Sequence, residues 1–196
     1  MVEVIVVDDG SDDETRAVAE AYGDRIRFTA QDRRGAGAAR NTATGLACGA
    51  YLAFLDADDR FLPEKLEHQL AALDADPELE MVFGHVREFV SPDLSAEARA
   101  AIRAPAPPSP WTAPNLMLIR RESFDRVGPF ATDLRVAETV DWYARATEAG
   151  LIGLTLPEIV LERRLHNSNS RVRERNAGSD YLQVVRASIE RRRQQG

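Results

Sequence analysis

Two short apolar runs in this chain each stop at a cluster of acids, and that pairing constrains the fold more than any other feature. Val2–Val7 is β-branched except at Glu3 and ends at Asp8-Asp9-Gly10-Ser11; Tyr51–Leu55 ends at Asp56-Ala57-Asp58-Asp59. A continuous apolar run of this length marks a strand buried on both faces, as in parallel sheets covered by helices. The stretch between them alternates accordingly. Ser11 and Glu14 have capping-box spacing ahead of Ala17, Val18 and Ala21, which predicts a helix over about 12–22. Ile26–Phe28 reads as a second strand, and a loop with Gly35 and Gly37 leads into a helix near 37–48. Strands alternating with helices predict a layered α/β fold whose ligands sit beyond the carboxyl ends of the strands.

The remainder continues the pattern with one interruption. Pro63 opens a helix whose apolar stripe is Leu66, Leu70 and Leu73 and which ends before Pro77. A strand follows over Met81–Phe89. Residues 91–114 then hold six prolines, a surface excursion of the size used for lids and mobile segments. Leu116–Ile119 resumes a strand, Glu138–Ala149 a helix, Ile152–Leu165 one or two strands around Pro157, and Tyr181–Arg193 a final helix.

Composition narrows the partners. The 196 residues are 44% hydrophobic with a net charge of −7, which argues for one core and against a general nucleic-acid binder. Charge is uneven: residues 163–193 hold nine arginines against three acids. This basic end suits phosphate, an anionic membrane face or an acidic partner as well as a plain solvated helix. A single cysteine, Cys48, allows no internal disulfide, and no apolar stretch approaches membrane-spanning length. With no secretory leader at Met1, the expectation is a cytoplasmic protein. Lys65 is the only lysine, and no functional reason for that is visible in the sequence.

Three carboxylates converging at 56, 58 and 59 repel one another unless a cation is present, and a hard divalent ion with open positions for substrate phosphate fits such a turn. Asp-x-Asp alone is a weak signal. Its order after Val7-Asp8-Asp9-Gly10-Ser11 and Gly35-Ala36-Gly37-Ala38-Ala39-Arg40-Asn41 is a stronger one, and so is the continuation into Val127-Gly128-Pro129-Phe130, Glu138–Arg145, and Arg163-Arg164-Leu165-His166 with Asn169.

This series resembles glycosyltransferase family 2, the nucleotide-diphospho-sugar transferases of the GT-A fold, over nearly the whole chain. The resemblance implies a layered α/β/α domain with a mostly parallel central sheet. It divides the chain into a nucleotide-sugar-binding half at 1–90, the Pro-rich loop at 91–114, an acceptor half at 115–175 and a basic C-terminal helix at 176–196. It assigns donor contacts to Asp8, Asp9, Gly35, Arg40, Asp56 and Asp58, and a Mn²⁺ or Mg²⁺ site to Asp58, Asp56 and His166. The implied activity is metal-dependent, inverting transfer of a sugar from a nucleotide-diphospho-sugar donor to a hydroxyl of a glycan, lipid, small molecule or peptide.

One position departs from the family pattern. Where many members carry Glu-Asp and use the Asp as base, this chain has Glu138-Thr139. Glu138 and Asp141 share a helix face at i and i+3, and the reading prefers Asp141 over Glu138 as base. A non-catalytic sugar-nucleotide-binding protein and a nucleotidyltransferase are the alternatives. The resemblance also makes Val2–Val7 the second strand of the fold, so the sheet is expected to be N-terminally truncated. Its open edge would then be covered by an upstream segment or by a homodimer partner.

Overall fold

The computed structural model describes residues 1–134, 136–166 and 178–195; Asn169 lies outside the described residues. The first strand, β1 (Ile5–Asp8), pairs in parallel with β2 (Arg27–Ala30), from Ile5 opposite Arg27 to Asp8 opposite Ala30. The connection carries α1 (Thr15–Glu20) and a 3₁₀ turn at Gly23–Arg25. The expected capping box does not form. Ser11 turns back, its N–H bonded to the Asp8 carboxylate at 2.9 Å, and Asp13 takes the N–H of Thr15 instead. The helix therefore starts later than the Ser-x-x-Glu spacing predicts.

After α2 (Ala36–Leu46) the chain enters a second, six-stranded sheet. Its strands are β3 (Tyr51–Ala53), β4 (Arg60–Phe61), β5 (Met81–Val90), β6 (Ser109–Pro110), β7 (Leu118–Arg120) and β8 (Gly153–Leu165). The order is β3-β7-β5-β8-β4, with β6 also on β5. The α/β class is as expected, but the sheet is mixed rather than mostly parallel. Among the described residues, parallel pairing is confined to β1 with β2 and β5 with β8, and the other four pairs are antiparallel. Antiparallel neighbours arise where the chain returns without a crossover, as β6 and β7 do from the 91–117 excursion. That excursion, which includes α4 (Ala96–Ala100), is fastened by Glu88 of β5, whose carboxylate takes Arg103 at 2.6 Å and the Ala106 N–H at 3.0 Å.

Pro157 leaves β8 one strand with an irregular register beside His85, because proline has no N–H for the ladder. Gly84 accommodates the bulge: a Cβ there would lie 2.5 Å from Val160 Cγ1.

The core lies between the larger sheet, α5 (Arg121–Val127) and α6 (Glu138–Glu148), with Phe54, Phe124, Phe130 and Trp142 packed together. Trp142 stacks on Phe124 at 5.4 Å and donates its indole N–H to the Gly128 carbonyl at 2.9 Å, so it is a core residue. Helix α3 (Lys65–Ala75) packs its expected leucine stripe on a second core cluster, Leu73 fully and Leu66 and Leu70 partly buried, and also buries Lys65 and Gln69, which the stripe does not predict. The last helix, α7 (Gly178–Gln195), packs Val184 inward and fixes Ser188 and Arg191 on Glu148 of α6. Its Arg186, Arg192 and Arg193 are exposed, as are Leu182, Val185 and Ile189. No helix among the described residues is long and apolar enough to cross a membrane.

Candidate active site

The acidic turn after β3 is closed by the Asp59 N–H on the Asp56 carbonyl at 3.0 Å, which sends the three carboxylates to different partners. Asp56 accepts from Arg40 Nη2 at 2.8 Å and faces Asn115 Nδ2 at 3.4 Å. Asp58 Oδ2 lies 2.8 Å from His166 Nε2. Asp59 accepts from Asn115 Nδ2 at 2.7 Å and from the Arg164 backbone N–H at 3.1 Å. Burial, reinforced by the neighbouring Asp58 and Asp56, pushes the Asp59 carboxyl up to about 6 despite those two hydrogen bonds. Asp59 thus ties the turn to β8 and to the 3₁₀ turn at Pro114–Leu116, while Asp56 and Asp58 stay about 40% accessible at their side chains (42% and 38%).

Arg40 links this turn to α6. Its second amine reaches Glu138 Oε1 at 3.0 Å, and its guanidinium lies over the Phe130 ring at 5.6 Å. Burial opposes the Arg40 charge, but Asp56 and Glu138 outweigh it and raise its pKa. The placement depends on close contact at the start of α2. A Cβ at Gly37 would meet the Ala131 carbonyl at 2.7 Å, and Asn41 brackets the Phe130 backbone with an N–H···O bond in each direction at 2.8 and 2.9 Å. Gly35 precedes the helix at φ +93°, a conformation that favours glycine.

The two candidate bases separate. Both oxygens of Asp141 face arginines, Oδ2 with Arg145 at 2.8 Å and Oδ1 with Arg191 of α7 at 3.6 Å. Arg145 also donates to the Val127 and Pro129 carbonyls, so this pair fastens α6 to the turn before Phe130. Glu138 has Oε1 on Arg40 and no hydrogen bond to Oε2 among the described residues. Thr139 lines a shallow crevice with Phe83, Thr112, Pro114 and Tyr143.

The carboxylates after β1 are used differently. Asp9 accepts from Gln31 Nε2, the Arg34 N–H and the Gly35 N–H, all within 2.7–2.8 Å, and so holds the loop that leads into α2. Asp8 is buried, and the hydroxyl and N–H of Ser11 lower its pKa.

Asp58 and His166 are an O and N donor pair of the kind that suits Mn²⁺, and both side chains remain partly accessible. Asp56 is turned toward Arg40 instead. Among the described residues no three His, Cys, Asp or Glu side chains form a ready metal cage. Two protein ligands with the remaining positions left to water and phosphate is a usual arrangement for such cations. Asn115, which holds Asp59 from 56 residues away, and Arg145, which ties Asp141 to the turn before Phe130, border the candidate site without a motif of their own in the sequence.

Comparisons with known proteins place the fold and the family. The glycosyl transferase family 2 model matches residues 1–132. Glycosyltransferase AglE of Haloferax volcanii is 31% identical over 159 residues, covering 76% of this chain and 52% of that protein. The succinoglycan biosynthesis protein ExoO of Rhizobium meliloti is 47% identical over 76 residues, 38% of this chain and 22% of that protein. The chain thus spans from about a fifth to about half the length of these relatives. Among solved structures, S. aureus TarS 1–349 in complex with UDP-GlcNAc superposes with a TM-score of 0.71 at 19% identity over 95% of this chain and 56% of that one. The mannosyltransferase PcManGT from Pyrobaculum calidifontis, in complex with GDP-Man and Mn²⁺, gives 0.69 at 22% identity over 96% and 55%. The fold is of the GT-A type, and the chain belongs to glycosyltransferase family 2.

Proposed function

We propose that this chain binds a nucleotide-diphospho-sugar beside the 56–59 turn and transfers the sugar, with inversion, to an acceptor hydroxyl. The observation that carries the reading is the chain of contacts Asp56–Arg40–Glu138, which sets a guanidinium and a carboxylate next to the open acidic turn. Asp58 and His166 would hold a divalent ion there, Mn²⁺ or Mg²⁺, and the ion would neutralise charge on the departing nucleoside diphosphate. Arg40 holds Asp56 and Glu138 in one orientation. Glu138, with Oε2 available, accepts the acceptor's proton as its oxygen attacks the anomeric carbon. Asp141, preferred from sequence, positions α6 through Arg145. The titration of UDP-GlcNAc and GDP-mannose, with Mn²⁺ and with chelator, followed by product analysis, tests this. Metal-dependent binding with sugar release or transfer supports it, and absence of binding to either donor contradicts it.

Thr139 favours a second reading, in which the domain binds the donor without turnover, because threonine stands where the family pattern places its base. Tight donor binding with intact donor recovered after long incubation distinguishes it. The exposed arginines and apolar residues of α7 would suit an anionic membrane face, one of the partners that the basic end allows.

A further inference from the structure

Lys65, the only lysine in the chain, is 1% exposed. An ammonium taken out of water is strongly destabilising unless its protons find partners, and here it makes two hydrogen bonds and lies over an aromatic ring. Nζ donates to Gln69 Oε1 at 2.7 Å and to the Leu116 carbonyl at 3.0 Å, and it lies 4.7 Å from the centre of the Phe61 ring. Gln69, 0% exposed, donates to the same Leu116 carbonyl at 2.7 Å and to the Val82 carbonyl at 2.9 Å. Two polar side chains one helical turn apart therefore occupy the face of α3 where leucines would seal the sheet, and both converge on one carbonyl.

That carbonyl belongs to the residue after Asn115, whose amide holds Asp59 at 2.7 Å and reaches Asp56 at 3.4 Å. Phe61, whose ring the ammonium overlies, follows Asp59 by two residues. The head of Lys65 thus contacts one residue beside Asn115 and one close to Asp59 in sequence. We propose that Lys65, with Gln69, is a positioning residue for the 56–59 turn. It fixes the Leu116 carbonyl, aims the Asn115 amide at Asp56 and Asp59, and so leaves Asp58 as the carboxylate turned to His166. The inference rests on reading that turn as the donor site.

Two readouts on the full chain test it. The first needs no ligand: exchange of the Asn115 side-chain amide, followed by NMR in wild type and Lys65→Met. The expected result is at least tenfold faster exchange in the variant; unchanged exchange overturns the proposal. The second is the dissociation constant of UDP with Mn²⁺ in wild type, Lys65→Met, Asn115→Ala and the double variant, corrected for the folded fraction. Each single change is expected to weaken binding about tenfold and the double no further, since the two residues act in series. A hundredfold loss in the double variant, or a Lys65→Met chain of lower Tm that binds as wild type does, overturns it. If wild type binds neither UDP nor Mn²⁺, the donor-site reading has failed and the amide exchange alone decides the pin. Should Lys65→Met not fold, Gln69→Glu carries both readouts: it keeps the acceptor for Lys65 and removes the second donor to Leu116.

Discussion

Two acidic turns end strands in this molecule, and they do opposite things. Asp8 ends β1 and Asp9 follows it; their partners Ser11, Gln31, Arg34 and Gly35 all lie within the first 35 residues, and most are backbone N–H groups. The carboxylates at 56, 58 and 59 instead meet Arg40, Asn115, Arg164 and His166, drawn from three separate segments: α2, the Pro114–Leu116 turn and the end of β8. The flanking sheets differ in the same sense. β1 is half-buried along Ile5–Val7 with Val2 and Val4 exposed, and it has a strand on one edge only among the described residues. β5, in the larger sheet, is buried over most of its length. Asp9, saturated by the loop that leads into α2, shapes that loop, whereas carboxylates supported from several elements can stay open while their geometry is held from outside.

The largest way to break the second turn is Arg40→Met. It strands a buried Glu138 and removes the partner of Asp56, and should lower stability by about 3 kcal/mol, read as a drop in the urea midpoint. Next comes the proton acceptor. Glu138→Gln should reduce turnover roughly 10²-fold at near-normal donor affinity, whereas Asp141→Asn should chiefly lower Tm; the reverse pattern would restore the base role to Asp141. Lys65 gives a smaller, pH-dependent effect. Burial pulls its pKa down to about 7 from an ordinary 10.5, so between those values the unfolded chain binds more protons than the native one, and stability must rise with pH. Relative to Lys65→Met, wild type should gain about 2 kcal/mol between pH 7 and 9, by denaturant titration at each pH. Asp9→Asn, at the first turn, should cost about 1 kcal/mol and hasten proteolysis in 31–35, with metal-dependent nucleotide binding unchanged in the folded fraction.

The parts legible in the sequence were those with local causes. The strands ending at Asp8 and near Asp56, the glycine-led start of α2 and the acidic first turn of α6 follow from apolar runs, φ-permissive glycines and helix-end preferences. What escaped depends on long-range pairing. The antiparallel return of β7 and the burial of Lys65 and Gln69 depend on partners 13 or more residues away, and Arg145 ties Asp141, four residues before it, to the Val127 and Pro129 carbonyls. The capping box is the exception, lost to a local contact of the Ser11 N–H with the Asp8 carboxylate three residues back. At the site, the motifs pointed to Arg40, Asp56 and Asp58, but Asn115 had no motif to reveal it.

The contrast between the two turns is tested most directly by calorimetry of UDP and GDP, each with Mn²⁺ and with chelator, on wild type, Asp58→Asn and Asp9→Asn. Mn²⁺ should tighten binding of at least one nucleotide tenfold or more in wild type and in Asp9→Asn, and should have no effect in Asp58→Asn. Equal affinity with Mn²⁺ and with chelator in wild type, or a metal effect that survives Asp58→Asn and vanishes in Asp9→Asn, would contradict the assignment.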